Sequence, residues 1–407
     1  MKPIGAGGKA WRIFDGGLIS STTPTPTPTV TPTPTPAPST SFVSVWETFE
    51  PVDFITLPLE SDGTYDFIVD WGDGTSPDYI TSWNQAEVTH PYGFAGRYNV
   101  VISGTCIGWS FNEDISRTLK FREVKQWGNL GLGNNGHNFA GCATTIFTGV
   151  TDTLNLTSTT NLTNMFFGCA NLTYVNNMNS WNVSNVTDMS YMFQNCLNFN
   201  QSLSNWNVSN VKNMDGMFYG CDNFNGNISG WTVSGVTDMS NMFSAAYKFN
   251  QNIGNWDVKN VTGMTGMFSN SPVFNQNISG WNVGKVKDMS GMFWSTTVFN
   301  QPIGSWNVSG VTDMSYMFGN ATGFTQVISG WNVSNVSDFT GFMISRTRAQ
   351  YPSTNYAALL KGWSQRNVVS GLTIDFGAIK YDAFGQSYRN ILTNPPKNWD
   401  ISDGGSL

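Results

Sequence analysis

Very few residues in this sequence could carry out acid–base or nucleophilic chemistry. His90 and His137 are the only histidines, and they lie far apart in the chain. A Ser-His-Asp triad or a two-histidine metal site needs several partners around one point of the fold. His90 stands in a His-Pro-Tyr turn, and His137 lies beside the first turn of a repeat. We therefore predict structural roles for both, His90 in a turn and His137 at a cap.

Four of the five cysteines recur at one position of successive repeats. They are Cys142, Cys169, Cys196 and Cys221. Later repeats have Ala, Ser or Thr at the same position, so the shared property is small size. The chain has no Cys-x-x-Cys pair, which argues against zinc. We predict a buried ladder of thiols acting as small apolar groups, and a disulfide between neighbouring turns stays open.

Carboxylates also recur, seven residues after the tryptophan that opens each repeat. This position, called +7, holds Asp188, Asn213, Asp238, Gly263, Asp288, Asp313 and Asp338. Carboxylates about 5 Å apart could bind Ca²⁺, but Asn213 and Gly263 interrupt the ladder, so we predict that each Asp caps its own helical turn. Asp70 and Asp73 fit a turn better than a cation site, and no two carboxylates stand out as a glycosidase pair. We therefore predict no catalytic residue, no metal and no cofactor.

These positions belong to a 25-residue repeat that runs from Trp181 to about Ser345. Seven tryptophans mark the period: Trp181, Trp206, Trp231, Trp256, Trp281, Trp306 and Trp331. Counted from each Trp, Val recurs at +2 and +5, Met at +8, Met-Phe at +11 and +12, and Phe at +18. Such a period predicts a solenoid whose units bury their apolar positions against their neighbours. Trp-x-Val predicts a short strand, and Thr-Asp-Met-Ser-x-Met-Phe predicts a capped helical turn.

The unit at 181–205, WNVSNVTDMSYMFQNCLNFNQSLSN, resembles the BspA-like leucine-rich-repeat family. The resemblance covers about 120–407, because looser turns at 137–142 and 164–172 precede the regular array. The segments 119–128 and 356–401 resemble the first and last segments of that family. The family is known from surface proteins of bacteria and from some viral and protist proteins. The resemblance implies surface-displayed binding or adhesion without a shared catalytic site.

Residues 41–104 have a different pattern. Tyr65–Trp71 alternates as a strand, a Gly-Asp-Gly-Thr turn follows, and a second strand follows at 96–102 after a His-Pro-Tyr turn. The order W-G-D-G-T, H-P-Y, G-x-Y-x-V resembles the PKD family of small β-sandwiches, which serve as spacers or adhesive modules. We therefore predict a mainly β fold with short helical turns: a PKD-like sandwich at 41–104, a BspA-like leucine-rich-repeat solenoid at 105–345 and a C-terminal cap at 346–407.

The N-terminal region is predicted to consist of an anchor segment followed by a spacer. Residues 22–38 alternate Thr and Pro, which favours an extended polyproline-like chain at about 3.1 Å per residue. We predict a linker at 21–40 that separates an anchor segment at 1–20 from the domains. Trp11, Ile13 and Phe14 would be its apolar plug, docking into capsid or tail proteins of a virion. A plain tail is the alternative.

Composition and charge exclude several classes of partner. Charged residues make up only 12% of the chain and the formal net charge is −7, so clustered Lys and Arg for nucleic acid are not expected. No stretch approaches the roughly 18 apolar residues that a membrane span needs. Residues 1–20 lack the apolar core of a secretory signal, and we expect none there. An export signal upstream of this sequence, or a non-classical route, is the alternative.

Positions +13 to +17 vary most between the repeat units, and we expect any ligand to bind there. Tyr219, Tyr247, Lys248 and Trp294 interrupt a pattern of small residues at these positions. The competing surface is the polar face at +1 and +3, which is rich in Asn and Ser. A solvated surface without a ligand is the third possibility for both.

Together these features favour a non-enzymatic display or adhesion protein. We expect a virion component, such as a capsid decoration or fibre, that binds a host surface protein or glycan through the solenoid. A virion protein is made inside the host and displayed after lysis, which fits export-type modules without an export signal. The alternatives are a bacterial cell-surface adhesin and an accessory part of a carbohydrate-active enzyme. A homo-oligomer is left open.

Overall fold

The computed structural model describes residues 38–407. The predicted anchor at 1–20, with Trp11, Ile13 and Phe14, and most of the predicted linker at 21–40 lie outside the described residues. The described part of the chain is mainly β, with few helices. Within it, no helix has the length and apolar character needed to cross a membrane.

The regular elements are concentrated at the two ends of the described chain. The strands are β1 (Phe42–Thr48), β2 (Asp53–Thr56), β3 (Leu59–Asp70), β4 (Asp78–Ile80), β5 (Thr89–Tyr92), β6 (Gly96–Trp109), β7 (Phe121–Gln126), β8 (Leu130–Gly131), β9 (Thr373–Asp375) and β10 (Asp400–Ser402). The helices are α1 (Ile115–Thr118), α2 (Ser353–Ser364) and α3 (Ala383–Thr393), with 3-10 turns at Ala86–Val88, Met178–Ser180 and Arg348–Gln350.

Six strands form one sheet in the order β4-β3-β6-β1-β7, with β8 beside β6. Along β3 the side chains of Tyr65, Phe67 and Val69 are buried and alternate with exposed ones, as expected for a strand with one face on a core. The strand predicted from the alternating pattern at 65–71 is confirmed. β2 and β5 form a separate antiparallel pair.

The boundary predicted after residue 104 falls inside a strand. β6 continues to Trp109, and β7 and β8, placed by the sequence in the solenoid, belong to the sheet. β1 pairs with β7, a non-local partner that a local sequence pattern does not reveal. The core also continues across the boundary, because Phe121 of β7 stacks on Phe139 with ring centroids 6.1 Å apart. Glu123 forms a parallel bridge with Ile146, so the edge of the sheet leads directly into the repeats.

Residues 137–345, here called the repeat stack, are successive turns of chain held together by parallel bridges. From Asp188 onward the bridges join +7 residues exactly one repeat apart, as between Asp188 and Asn213 or between Asp313 and Asp338. Backbone N–H groups add further inter-turn hydrogen bonds, for example from Phe193 to Met217 at 3.0 Å. Each turn is therefore bonded only to the turns before and after it.

The strand predicted at Trp-x-Val is wrong. No strand is present at that segment in any of the seven units, and the bridging residue is +7 instead. The cause is local: the Oδ1 atom of Asn182 accepts the N–H of Ser184 at 3.2 Å, which curls the chain into an Asx turn.

The predicted helical turn is also replaced by a different structure. Residues at +10 and +14 have positive φ, as in Tyr191 (56°) and Asn195 (59°), which interrupts helix formation. The result is a series of tight turns in which N–H groups alternate between a partner three residues back, such as Met192 to Met189, and a partner in the next turn.

Columns of aromatic rings form the core of the stack. Trp206 and Trp231 stack with ring centroids 6.4 Å apart, and Phe218 lies 5.8 Å from Phe243. The Trp206 indole N–H donates to the carbonyl of Met178 in the preceding turn at 2.8 Å. The predicted burial of the repeated Trp, Val, Met and Phe positions is confirmed.

The last 62 residues close the C-terminal end of the stack. In α2 the apolar residues Tyr356, Leu359, Leu360 and Trp363 recur at helical spacing and are all buried. Phe339 of the last repeat forms a parallel bridge with Ile374 of β9. The cap thus continues the bridge ladder of the stack and covers its final turn.

Candidate binding edge of the repeat stack

Many polar side chains of the repeat stack are hydrogen-bonded to neighbouring turns. The Oδ1 atom of Asn225, at +19, accepts the backbone N–H of Asn250 one turn later at 3.0 Å. The side chain of Gln251, at +20, donates to the carbonyl of Asn225 at 2.8 Å. These bonds explain why Asn-Gln recurs in the repeat, because each amide uses one of its polar atoms to join neighbouring turns.

The polar face at +1 and +3 also uses its amide oxygens internally. The N–H of Ser209 donates to Asn207 Oδ1 at 3.2 Å, and the hydroxyl of Ser309 donates to Asn307 Oδ1 at 2.8 Å. This face therefore presents short side chains that are already engaged in turns.

The aspartates at +7 cap their own turns. The Oδ1 atom of Asp188 accepts the N–H of Ser190 at 2.8 Å and its hydroxyl at 2.6 Å. Asp288 and Ser290 repeat both bonds. The predicted bond from each Asp to its own turn is present, but that turn is not helical, so the predicted helix cap is wrong in that respect. Among residues 38–407 no group of three or more His, Cys, Asp or Glu side chains is arranged to hold a metal ion.

The position that holds cysteine in the early repeats, here called the cysteine slot, takes small side chains, several of which also donate a hydrogen bond. All five cysteines are buried and unpaired. The thiol of Cys196 donates to the carbonyl of Phe166, and the hydroxyls of Ser271 and Thr296 donate to the equivalent carbonyls in their preceding turns. Burial raises the pKa of Cys196 well above its ordinary value. The predicted burial is confirmed, and the thiols are poor nucleophiles.

The two histidines lie in separate environments. The His90 ring stacks on Trp71 with centroids 4.8 Å apart, and its Nε2 is 2.9 Å from Asp73 Oδ2. Partial burial raises the pKa of Asp73, but hydrogen bonds from Thr75 and His90 outweigh it and leave that pKa below its ordinary value. These contacts fit a structural role, but His90 lies within β5 and pairs with Ile55 of β2, so the predicted turn at His90 is wrong.

His137 lies at the junction of the sheet and the stack, with Nε2 3.1 Å from Asn164 Nδ2. It lines a cavity of about 440 Å³ together with Glu60 and Arg117. Burial, and then the charge of Asp62, raise the pKa of Glu60 to about 7, and its Oε1 is buried without a hydrogen-bond partner among the described residues. Sequence reasoning missed Glu60, because no local motif surrounds it.

Positions +13 to +17 of the repeat, here called the variable edge, carry exposed aromatic and apolar side chains. Tyr219 and Tyr247 are 36% and 48% exposed, and Lys248 is exposed. Three aliphatic residues on the same edge are also exposed: Leu197, Val273 and Val298. Elsewhere in the stack the exposed large apolar side chains are Ile146, Tyr174, Tyr316 and Val327. The edge therefore carries most, though not all, of the large apolar side chains that the stack leaves to solvent.

Three tyrosines form an oblique row across the first regular turns. Tyr191, Tyr219 and Tyr247 are spaced 28 residues apart, so they fall at +10, +13 and +16 of successive 25-residue units. With stacked turns roughly 5 Å apart, the row runs diagonally over the surface. Sequence reasoning missed Tyr191, although it interrupts the Gly and Asn pattern at +10.

Lys248 and Trp294 differ from what the sequence suggested. The ammonium of Lys248 is held by Asn223 Oδ1 at 2.6 Å, so its position beside Tyr247 is fixed. Trp294 is partly buried, because its ring packs edge-on against Tyr316 at 5.5 Å and covers Gly319 of the next turn. Trp294 thus stabilises the stack, and it lies three turns away from Tyr219.

The comparisons with known proteins concern the repeat stack. The sequence matches the family described as "Mycoplasma protein of unknown function, DUF285" over residues 137–256 and 247–356, more than half of the chain. The chain belongs to this family. The match does not extend to residues 38–136. Comparison with curated proteins gives no match, and neither does comparison with solved structures.

Proposed function

We propose that the protein is a non-enzymatic display and adhesion protein that binds its ligand through the variable edge. One observation carries this proposal: most of the exposed large apolar side chains of the stack lie on that edge. Each of the amides and carboxylates at +1, +7, +19 and +20 uses at least one polar atom for a hydrogen bond within the stack. An exposed apolar strip bordered by polar residues is typical of an interaction surface.

The ligand that fits this edge is a host surface protein or a glycan. Tyr219 and Tyr247 offer an apolar ring with a polar tip, a combination enriched at recognition surfaces. Tyr191 lies beside this edge at +10, partly buried, and its hydroxyl donates to Asp215. The oblique row suits an extended ligand that crosses several turns. Lys248 adds one positive charge beside Tyr247.

The proposed architecture assigns a part to each region. Residues 105–345 would be a BspA-like leucine-rich-repeat solenoid with an end cap at 346–407, and the sheet would be a PKD-like sandwich used as a spacer. Residues 1–20 would dock the protein into a virion, where it serves as a capsid decoration or fibre. The Thr-Pro composition of residues 22–38 supports display at a distance from the anchor.

A double variant, Tyr219→Ala with Tyr247→Ala, tests the edge. We expect binding of the full chain to host cells or arrayed glycans to weaken by about tenfold or more, since aromatic anchors dominate binding energy. Tyr79→Ala, an exposed tyrosine on β4, is the matched control and should bind normally. Unchanged binding by the double variant, with an intact fold, would remove the edge from the proposal.

A second experiment tests the virion assignment. Peptide mass spectrometry should find the protein enriched in density-purified virus particles relative to washed cell envelopes. Enrichment in envelopes alone would instead support a bacterial cell-surface adhesin. That second candidate is favoured by one observation, the match to a family described from Mycoplasma.

A further inference from the structure

A groove lies between the C-terminal cap and the end of the repeat stack, lined by none of the residues of the variable edge. It has a volume of about 660 Å³, within the range of small-ligand sites. Ser329 and Gly330, at the end of the unit that begins at Trp306, line the groove together with residues of α2 and with Phe384 of α3. Gly362 allows α2 to approach that unit closely, since a Cβ there would lie 2.1 Å from the carbonyl oxygen of Ser329.

The groove is cationic in a chain that is acidic overall. Lys361 and Arg366 line it, and no Asp or Glu does. Neither cation forms a salt bridge with a carboxylate of residues 38–407. The Arg366 guanidinium donates one hydrogen bond, to the carbonyl of Gly330 at 2.9 Å. Its remaining N–H groups are available for a planar anion.

A third cation offsets the negative end of α2. The ammonium of Lys397 donates to the carbonyls of Ser364 and Arg366, each at 2.6 Å. Carbonyls at a helix C-terminus otherwise repel an anion. Lys397 therefore neutralises part of the negative charge that these carbonyls present at the end of α2.

The groove also has the other groups that sugar recognition needs. Phe384 is 52% exposed, and its ring holds the ammonium of Lys361 at 5.5 Å from its centroid. Ser329, Thr354 and Gln365 supply hydroxyl and amide groups around it. An apolar ring face with a few polar groups and a charge is the usual composition of a small-ligand site.

We propose that this groove binds a carboxylate-bearing sugar, with Arg366 and Lys361 on the carboxylate and Phe384 against the sugar ring. A polyanion such as nucleic acid fits less well, because two or three cations are too few to offset a net charge of −7. The proposal does not depend on the variable edge, which differs in position and chemistry.

The test uses the full chain and calorimetric titration with trigalacturonate, sialyl-lactose and a tetraglutamate peptide. The methyl ester of trigalacturonate and lactose are neutral controls of matched shape. We expect an acidic sugar to bind, and its neutral counterpart to bind about tenfold or more weakly, as for the loss of a charge-assisted hydrogen bond. Arg366→Gln and Lys361→Gln should each weaken acidic-sugar binding by a similar factor. Affinity should also fall as salt is raised.

Two further variants make the result decisive. Lys285→Gln removes an exposed lysine from the repeat stack and should change nothing, and neither should the Tyr219 and Tyr247 double variant. The proposal is overturned if neither acidic sugar binds. It is also overturned if the neutral sugars bind as tightly as the acidic ones. Equal binding of tetraglutamate would show a general anion site and overturn the sugar assignment. If Arg366→Gln lowers thermal stability, the effect of Lys361→Gln on acidic-sugar binding is used instead, because Lys361 is at an exposed position.

Discussion

The ring of Tyr191 covers Gly216 of the next turn, where a Cβ would lie 2.3 Å from Cε1 of the tyrosine. Tyr316 and Gly341 repeat this relationship, with a Cβ 2.5 Å from the ring. Trp294 covers Gly319 in the same way at 2.3 Å. A large aromatic in one turn is thus matched by a glycine in the following turn, so residues 25 apart are coupled by packing.

Gly216→Ala should destabilise the protein more than the same change at Gly291. Both glycines occupy +10 with nearly equal φ, 57° and 58°, but Gly291 has only Trp294 Cβ nearby, at 4.0 Å. Alanine at positive φ costs about 1–2 kcal/mol at either site, and the clash with Tyr191 adds roughly 1–3 kcal/mol at Gly216. Urea unfolding measures the difference. In a Tyr191→Ala background, Gly216→Ala should cost no more than Gly291→Ala costs in the unchanged chain. Equal losses for the two single variants would contradict the coupling.

Arg346→Ala should be strongly destabilising. Arg346 occupies the cysteine slot of the last unit, is 1% exposed and has no carboxylate partner. Its guanidinium donates to the carbonyls of Ala321, Phe324 and Gln350. Removal leaves a cavity and unpaired carbonyls, with an expected loss of about 3 kcal/mol or more in the free energy of unfolding. Arg348→Ala, an exposed neighbour, should change stability by less than about 0.5 kcal/mol. If Arg346→Ala also changed the free energy of unfolding by less than about 0.5 kcal/mol, the surrounding residues would have to fill the cavity without the arginine.

The features that follow from the repeat period were predicted from the sequence. The Trp, Val, Met and Phe positions recur in every unit, so each turn buries them against the neighbouring turns. The strand at Trp-x-Val failed because the side chain of Asn182 bonds locally to the backbone, which competes with strand formation. The pairing of β1 with β7 was missed because it joins distant segments.

The candidate site was predictable only in part, because the sequence shows local patterns but not contacts between distant residues. Tyr219, Tyr247 and Lys248 stand out because they break a local pattern, and they are exposed as expected. The packing of Trp294 on Gly319 depends on the register between turns. The cap groove joins Arg366 to Phe384 across two helices, and no sequence period relates them.

The buried cysteines should not react in the native protein. Burial raises the pKa of Cys142 and Cys196 well above the ordinary value, and the thiolate is the reactive form. Ellman's reagent should therefore find no reactive thiol in the folded chain and five after unfolding. Cys196→Ser should be tolerated within about 1 kcal/mol, since Ser271 fills the same slot. Rapid native reaction of even one thiol would show that the stack opens locally.

Glu60 should make stability fall as pH rises toward neutrality. In the folded chain burial and Asp62 raise its pKa from 4.5 to about 7, so the folded state keeps a proton that the unfolded state has lost between those values. The folded state then binds more protons, and stability decreases as pH increases through that window and levels off above it. Melting temperatures measured from about pH 4.5 to 8 at fixed ionic strength should show this slope. Glu60→Gln should flatten it, whereas Glu113→Gln, a half-exposed carboxylate near His137, should leave it. A slope unchanged by Glu60→Gln would assign the titration to another group.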